Sequence, residues 1–162
     1  MGDPDPVIHR FQYSRVKLHS FFTSTSPLCV KCKQSDGTLA HMFWFCNKLG
    51  RFWHEVFYFY SEVYGHDLLP DPETGILGWS HQLDTLSHWE ALSIQYGMVI
   101  AKKIILKVWN KETSPSFEAW LTEFSNTLYM EKILFQLSGK SDRFHQIWQP
   151  FLDHITQRRG PS

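Results

Sequence analysis

Residues 29–46 read CVKCKQSDGTLAHMFWFC, and this stretch decides how the N-terminal part of the chain folds. Its cysteines and histidine have the spacing C-x2-C-x8-H-x4-C. Two cysteines separated by two residues can present both thiolates to one cation from a single tight turn, and a later histidine and cysteine complete a tetrahedron. Four protein ligands leave no position for water, which is typical of a structural site. We therefore predict one structural zinc ion bound by Cys29, Cys32, His41 and Cys46.

The chain has three cysteines, and all of them lie within this stretch. Three cysteines cannot all pair, and in a reducing compartment a close set of cysteines and histidine indicates a metal site rather than a disulfide framework. Asp36 and Gly37 favour a chain reversal between the two ligand pairs, because glycine adopts a positive φ without penalty. The alternative is that the cysteines are ordinary small apolar residues and that His41 is a surface imidazole. The clustering of all three cysteines favours the metal site.

Helical patterns follow the cysteine-rich stretch. Apolar residues recur three and four positions apart from His41 to Tyr60, so we predict one helix that Thr38 caps and Gly65 ends. Residues 86–111 contain no proline and repeat apolar residues with helical period, which predicts a central helix. The predicted fold class is mainly α, with a small CCHC zinc knuckle followed by a helical bundle of about four helices.

Two further helices are predicted after the central one. Ser114 as N-cap and Pro115 at the first helical position indicate the start of a helix that ends at Gly139. Ser141 is a suitable cap for a shorter last helix, which we expect Pro150 to interrupt. With the two earlier helices, these elements complete the predicted bundle.

The chain divides into four predicted segments. Residues 65–80 contain two prolines and three glycines, a composition that favours a loop. We place the boundaries on either side of this region. The predicted segments are an N-terminal lead-in segment at 1–26, the zinc knuckle and following helix at 27–65, a linker loop at 66–85 and a helical C-terminal region at 86–157.

Composition excludes two classes of protein. The hydrophobic fraction of 43% and the 13 Phe, 7 Trp and 6 Tyr exceed what a disordered chain carries. The longest apolar run, residues 96–101, is far shorter than the roughly 20 residues that a membrane helix requires. The N-terminal residues MGDPDPVIHR are acidic and lack the apolar core of a secretion signal. We expect an intracellular protein, nuclear or cytoplasmic, without membrane contact.

Charge is unevenly distributed, although Lys+Arg and Asp+Glu number 16 each. Residues 51–100 carry a net charge of −6, and the parts on either side carry +3 each. Between residues 7 and 50 the basic excess is +5, which attracts phosphate, although an ordinary solvated surface is the alternative. The candidate nucleic-acid contacts near the cysteines are Arg15, Lys17, Lys31, Lys33, Lys48 and Arg51, and a second pair on the central helix is Lys103 and Lys107.

Several blocks of the chain resemble the C-terminal zinc-knuckle region of reverse transcriptases encoded by LINE-type (non-LTR) retrotransposons. The clearest block, residues 27–53, reads PLCVKCKQSDGTLAHMFWFCNKLGRFW. VIHRFQYSRVKL at 7–18 precedes it, and AKKIILKVWNKETSPSFEAWL at 101–121 and YMEKILF at 129–135 follow it in the family's order. The resemblance therefore extends over most of the chain, from about residue 7 to about residue 155.

The resemblance implies a module without catalysis of its own. In that family the polymerase site lies in an upstream domain with a Tyr-x-Asp-Asp motif, and DNA is nicked by an N-terminal endonuclease. This sequence contains neither block, and it also lacks a Gly-rich phosphate loop, a Gly-x-Ser-x-Gly elbow and a His-Glu-x-x-His helix. The expected partner is nucleic acid, RNA or single strands. The alternative is a structural or protein-interaction domain that packs against a polymerase domain.

Overall fold

The computed structural model of the protein describes residues 12–159, which are mainly helical. The predicted fold class, a small knuckle followed by a helical bundle, is confirmed. Within this range extended backbone pairs only as an isolated bridge between Leu28 and Asp36. The first eleven residues of the predicted lead-in segment lie outside the described range, and the four segment boundaries stay predictions. The α-helices are α1 (Arg15–Phe21), α2 (Gly50–Tyr64), α3 (His88–Lys107), α4 (Phe117–Leu137) and α5 (Ser141–Arg159).

Helix α1 packs against the cysteine-rich turn. Ser14 caps the helix by accepting a hydrogen bond from the Lys17 N–H at 3.2 Å. A Cβ atom at Gly37 would lie 2.6 Å from the Cβ of Arg15, so only glycine permits this approach. Glycine therefore serves packing here, and the positive φ expected from the sequence at Gly37 is found instead at Lys33.

The prediction of one continuous helix from His41 to Tyr60 is wrong. Residues His41–Phe45 form a π-helical turn, Cys46 is extended with φ −66° and ψ 125°, and Asn47–Leu49 form a 3₁₀ turn. Helix α2 then begins at Gly50 and ends before Gly65, whose φ of 68° confirms it as the predicted stop. The interruption directs the Cys46 side chain away from the α2 axis and back toward the other cysteines.

Helices α3 and α4 are shorter than predicted at their starts. Ser87 and Glu90 form a capping box, so α3 begins at His88 rather than at 86, and it ends at Lys107. Ser116, not Ser114, caps α4 by accepting a hydrogen bond from the Ala119 N–H at 3.2 Å. The end of α4 agrees with the prediction: Gly139 has a φ of 68° and follows the last helical turn.

Helix α5 continues through Pro150 to Arg159, which corrects the predicted interruption. Proline in a helix interior costs about 3 kcal/mol. Trp148 and Phe151 on either side of it are both buried in the bundle. Burial of each large side chain stabilises by about 1.5–3 kcal/mol, enough to offset the cost of the proline.

Aromatic rings fill the centre of the bundle. Phe59 of α2 is fully buried, and its ring centroid lies 5.5 Å from that of Trp120 and 5.1 Å from that of Phe151. Phe124 stacks on Phe151 at 4.2 Å, and Tyr96 of α3 approaches Phe124 at 5.8 Å. The cluster therefore joins all four helices α2 to α5. No helix within residues 12–159 combines the length and apolar character that crossing a membrane requires.

Gly97 allows α2 to approach α3 closely. A Cβ atom at this position would lie 2.1 Å from the Tyr60 hydroxyl oxygen. Tyr60 donates its hydroxyl hydrogen to the Ser93 carbonyl at 2.8 Å, and Trp120 donates its indole N–H to the Gly97 carbonyl at 2.9 Å. Glycine costs a helix interior about 1 kcal/mol. These buried contacts explain why the central helix tolerates it.

Candidate metal centre

The four predicted ligands lie together. Their ligand atoms are all within 4.8 Å of one another, so the group could hold a metal ion. The Sγ atoms of Cys29 and Cys46 are 3.8 Å apart, and Cys32 Sγ lies 3.4 Å from His41 Nε2. A tetrahedral ion with metal–sulfur bonds of about 2.3 Å separates two sulfur atoms by about 3.8 Å and a sulfur from an imidazole nitrogen by about 3.6 Å. These two separations match a tetrahedral ion, and the group of four ligands could hold a metal ion.

A tight turn positions the first two ligands. The Cys29 N–H donates to the Ser35 carbonyl at 2.8 Å, and the Lys33 N–H donates to the Cys29 carbonyl at 2.9 Å. Lys33 has a φ of 56°, a conformation that costs a residue with a side chain about 1–2 kcal/mol. The turn directs both Cys29 and Cys32 toward one point, as the C-x2-C spacing predicted.

A π-helical turn positions the other two ligands. The Cys46 N–H donates to the His41 carbonyl at 2.9 Å, so this hydrogen bond joins the two ligands, which are five positions apart. Thr38 holds the start of this turn by accepting a hydrogen bond from the His41 N–H at 3.1 Å. The x4 spacing of the motif thus corresponds to one π turn.

The three thiols lie in different environments. Burial, together with the proximity of Cys29, raises the pKa of Cys46 to about 11. Cys32 is also partly desolvated, but hydrogen bonds from the backbone of Gln34 and Ser35 outweigh that effect and lower its pKa to about 6. Three thiolates at this separation repel one another. A divalent cation among them would remove that repulsion and keep all three deprotonated.

Lys31 connects the knuckle to the end of α3. Its side chain is only 9% exposed, and its ammonium group donates to the carbonyls of Val108 at 2.5 Å and Lys111 at 2.8 Å. These carbonyls follow the last helical residue, where backbone acceptors lack partners within the helix. Burial lowers the pKa of Lys31, and the thiols of Cys29 and Cys46 oppose that shift. Lys31 therefore stabilises the docking of the knuckle on the bundle.

We expect Lys31→Met to lower the free energy of unfolding of the zinc-loaded chain by about 1–3 kcal/mol, because it leaves the Lys111 carbonyl without the ammonium donor, whereas the Val108 carbonyl keeps the hydrogen bond from the Lys111 N–H. Urea unfolding followed by circular dichroism measures this change. The matched control is Lys33→Met, which removes an ion pair with Glu112 whose two side chains are both mostly exposed. Such pairs contribute about 0–1 kcal/mol. Equal effects of the two substitutions would contradict the role assigned to Lys31.

The other predicted nucleic-acid contacts lie in separate places. Arg15 and Lys33 border one cleft of about 330 Å³ beside Cys29, and Arg51 pairs with Glu55 at 3.0 Å. Lys17 lies over the ring of Phe21, and Lys48 has no ion pair among residues 12–159. Lys103 and Lys107 are not part of this group: both bind Glu123 of α4 at 2.5 Å, between α3 and α4.

Sequence reasoning missed the residues that attach the knuckle to the bundle. Trp109 donates its indole N–H to the Tyr13 carbonyl at 2.8 Å, and its ring lies 4.9 Å from that of Phe43. The buried role of Lys31 was also missed. No local pattern marks a partner about 80 positions away in the chain, so these contacts had no signal in a single sequence.

Comparisons with models of protein families, with curated proteins and with solved structures find no match to this chain. The proposal for the function therefore rests on the residues of the metal centre and on the surfaces around it.

Proposed function

We propose that this chain is a non-catalytic, zinc-binding module that binds nucleic acid, RNA or single strands, through its knuckle and α1. The observation that supports it best is the four-ligand centre, because the metal would hold a short basic segment in one rigid shape. The resemblance to the tail of a LINE-type reverse transcriptase leads to the same function.

The choice of zinc follows from the ligand set. Three thiolates and one imidazole in tetrahedral arrangement are typical of structural zinc, and they leave no position at which a metal-bound water could react. Residues 27–46 bury few large apolar side chains of their own, so the metal would supply much of their folding free energy. A structural ion with no open position is the basis for proposing that the module has no catalysis of its own.

Exposed rings and cations around the knuckle support nucleic-acid binding. The side chains of Phe21, Phe22 and Phe45 are 53%, 49% and 65% exposed. Exposed aromatic rings can stack on unpaired bases while lysines contact the phosphates. Lys17 and Lys48 are exposed and form no ion pair among the described residues, so both are available for such contacts.

A structural or protein-interaction domain is the second candidate function. Three apolar residues of α4, Met130, Leu134 and Leu137, are 57%, 57% and 81% exposed. Their spacing of four and three places them along one side of the helix. An exposed apolar row of this kind is typical of a face that packs on another domain. A polymerase domain, as implied by the family resemblance, is the proposed partner for that face.

Salt dependence separates these two functions. We expect the zinc-loaded chain to bind fluorescent oligouridine of 20 nucleotides with an affinity that falls steeply as salt rises, since binding releases counterions from phosphates. The double variant Lys17→Ala/Lys48→Ala should bind more weakly and reduce the magnitude of the salt slope by about two units at most. Fluorescence anisotropy at several salt concentrations measures both quantities.

The matched control for this titration is Lys103→Ala/Lys107→Ala, because both lysines already pair with the single carboxylate of Glu123, which offsets one of their two charges. It should change oligouridine binding less than the first pair. Equal binding by all three chains, or an affinity that does not depend on salt, would favour the protein-interaction domain instead.

A further inference from the structure

Residues 66–85, here called the acidic loop, display large apolar side chains on a rigid frame. Leu69, Leu77 and Trp79 are 64%, 77% and 49% exposed. The loop contains a π-helical turn at Glu73–Leu77 and a 3₁₀ turn at His81–Leu83. Its polar side chains, in contrast, include several that face inward. The loop therefore exposes apolar side chains and buries polar ones, which reverses the usual arrangement.

Thr74 lies at the centre of a hydrogen-bond network inside the loop. It is fully buried, and its hydroxyl group bonds to the Asp71 carboxylate at 2.7 Å and the Ser80 hydroxyl at 2.7 Å. Gln82 donates to the Thr74 hydroxyl at 3.1 Å, and its amide also pairs with the N–H and C=O groups of Leu69. The network closes the loop on itself, so the exposed apolar residues have fixed positions.

Two further contacts fix the loop on the rest of the molecule. Trp44 packs so closely on Gly75 that a Cβ atom there would lie 2.2 Å from the indole ring. Lys102 of α3 donates its ammonium group to the Ile76 carbonyl at 2.6 Å. Both the knuckle and α3 therefore hold the turn that carries Leu77.

Val99 extends the apolar surface onto α3. It is 58% exposed and lies between Gln95 and Lys102 on one side of the helix. Gln95 approaches Gly78, and Lys102 contacts Ile76, so Leu77 lies over the same stretch of α3. Leu77 and Val99 thus belong to one surface, and Trp79 follows Leu77 by two residues in the loop.

The same loop carries exposed acidic side chains. Asp67, Glu73 and Asp84 are exposed, and the sequence contains no Lys or Arg from residue 52 to residue 101. Lys102, the next cation, is already bonded to the loop backbone. A surface of this charge repels phosphate and attracts lysine and arginine.

We propose that the acidic loop and Val99 form a docking surface for a protein segment that carries apolar side chains flanked by lysines or arginines. Trp79 and Leu77 anchor the apolar side chains, and Asp67, Glu73 and Asp84 contact the basic ones. A rigid frame lowers the entropy that binding costs, because the loop needs no further ordering. Exposed tryptophan at the centre of such a surface is typical of residues that dominate binding energy.

Two synthetic peptides test this proposal. Both have 16 residues with leucine and tryptophan at the same helical spacing, and the remaining positions are lysine in one and glutamate in the other. We expect the zinc-loaded chain to bind the lysine peptide and not the glutamate peptide. Amide chemical shifts in the ¹H–¹⁵N spectrum should change within residues 66–85 and near Val99. Leu77→Ser should weaken binding of the lysine peptide at least tenfold. Glu73→Gln/Asp84→Asn should weaken that binding less and reduce its dependence on salt.

Leu134→Ser is the control, because it removes another exposed leucine, 57% exposed against 77% for Leu77, from α4. It should leave peptide binding unchanged. Helical circular dichroism and zinc content equal to those of the unaltered chain establish that each variant is folded. Equal binding of both peptides, shift changes confined to the knuckle or α4, or no effect of Leu77→Ser would overturn the proposal. Concentration-dependent self-association through residues 66–85 would show instead that a second copy of the chain occupies this surface. The same shift changes with oligouridine would show that nucleic acid occupies it.

Discussion

The Cys46→Ser chain is expected to lose its metal ion, together with the fold of residues 27–46. A hydroxyl group binds zinc poorly compared with a thiolate, so three ligands would remain. Loss of a direct ligand should cost more than the 10–100-fold in affinity that loss of a supporting hydrogen bond costs. Native mass spectrometry counts the bound zinc, and amide resonances report whether the knuckle is ordered.

Ser35→Ala is the control for this experiment, because Ser35 is exposed and lies in the same turn without contributing a ligand. It should retain one zinc ion. Most of the helical circular dichroism of Cys46→Ser should persist, since α2 to α5 share a core of their own. Equal zinc content in the two variants would refute the ligand assignment, and loss of most helical signal would show that the bundle depends on the knuckle.

Phe59→Ala is expected to lower the free energy of unfolding by about 3–5 kcal/mol. Phe59 is fully buried where α2, α4 and α5 meet, and neighbouring rings cannot collapse into the space it would leave without moving three helices. Chemical unfolding of the zinc-loaded protein measures the change. The control is Tyr58→Ala at the adjacent position. Tyr58 is 54% exposed, so its replacement should lower the free energy of unfolding far less. Similar losses for both variants would show that Phe59 does not hold the helices together.

Sequence reasoning succeeded where a local pattern has a strong local cause. Apolar periodicity located the helices, and Gly65 and Gly139 marked their ends because left-handed backbone favours glycine. It failed where two local preferences compete. Ser114 and Ser116 flank Pro115, and both serines are suitable caps, but only Ser116 caps α4. The local sequence around Pro150 predicts a break in the helix. Burial of Trp148 and Phe151 in the bundle offsets the cost of the proline, so α5 continues.

The metal centre shows the same division. The proximity of the four candidate ligands was predictable, because side chains that hold one ion must meet and the spacing determines which ones can. The roles of the lysines could not be predicted, because a sequence does not show which group each charged side chain contacts. Lys31 contacts carbonyls about 80 residues away, and Lys103 and Lys107 share Glu123 on the next helix. The interior contact of Lys31 leaves Lys17 and Lys48 as the better candidates for binding phosphate.

The π-helical turn between His41 and Cys46 makes the length of that segment as important as its composition. A substitution at 42–45 changes which side chains touch the turn but leaves both ligands in place. One inserted or deleted residue would instead rotate Cys46 about the helical axis by roughly a quarter turn or more, away from the other ligands. The exposed residues 113–114, which precede α4 and lie beyond the contacts of the knuckle with Lys111 and Glu112, have no such restriction. Related chains that keep the metal should therefore vary in length between their helices and remain constant in length between these two ligands.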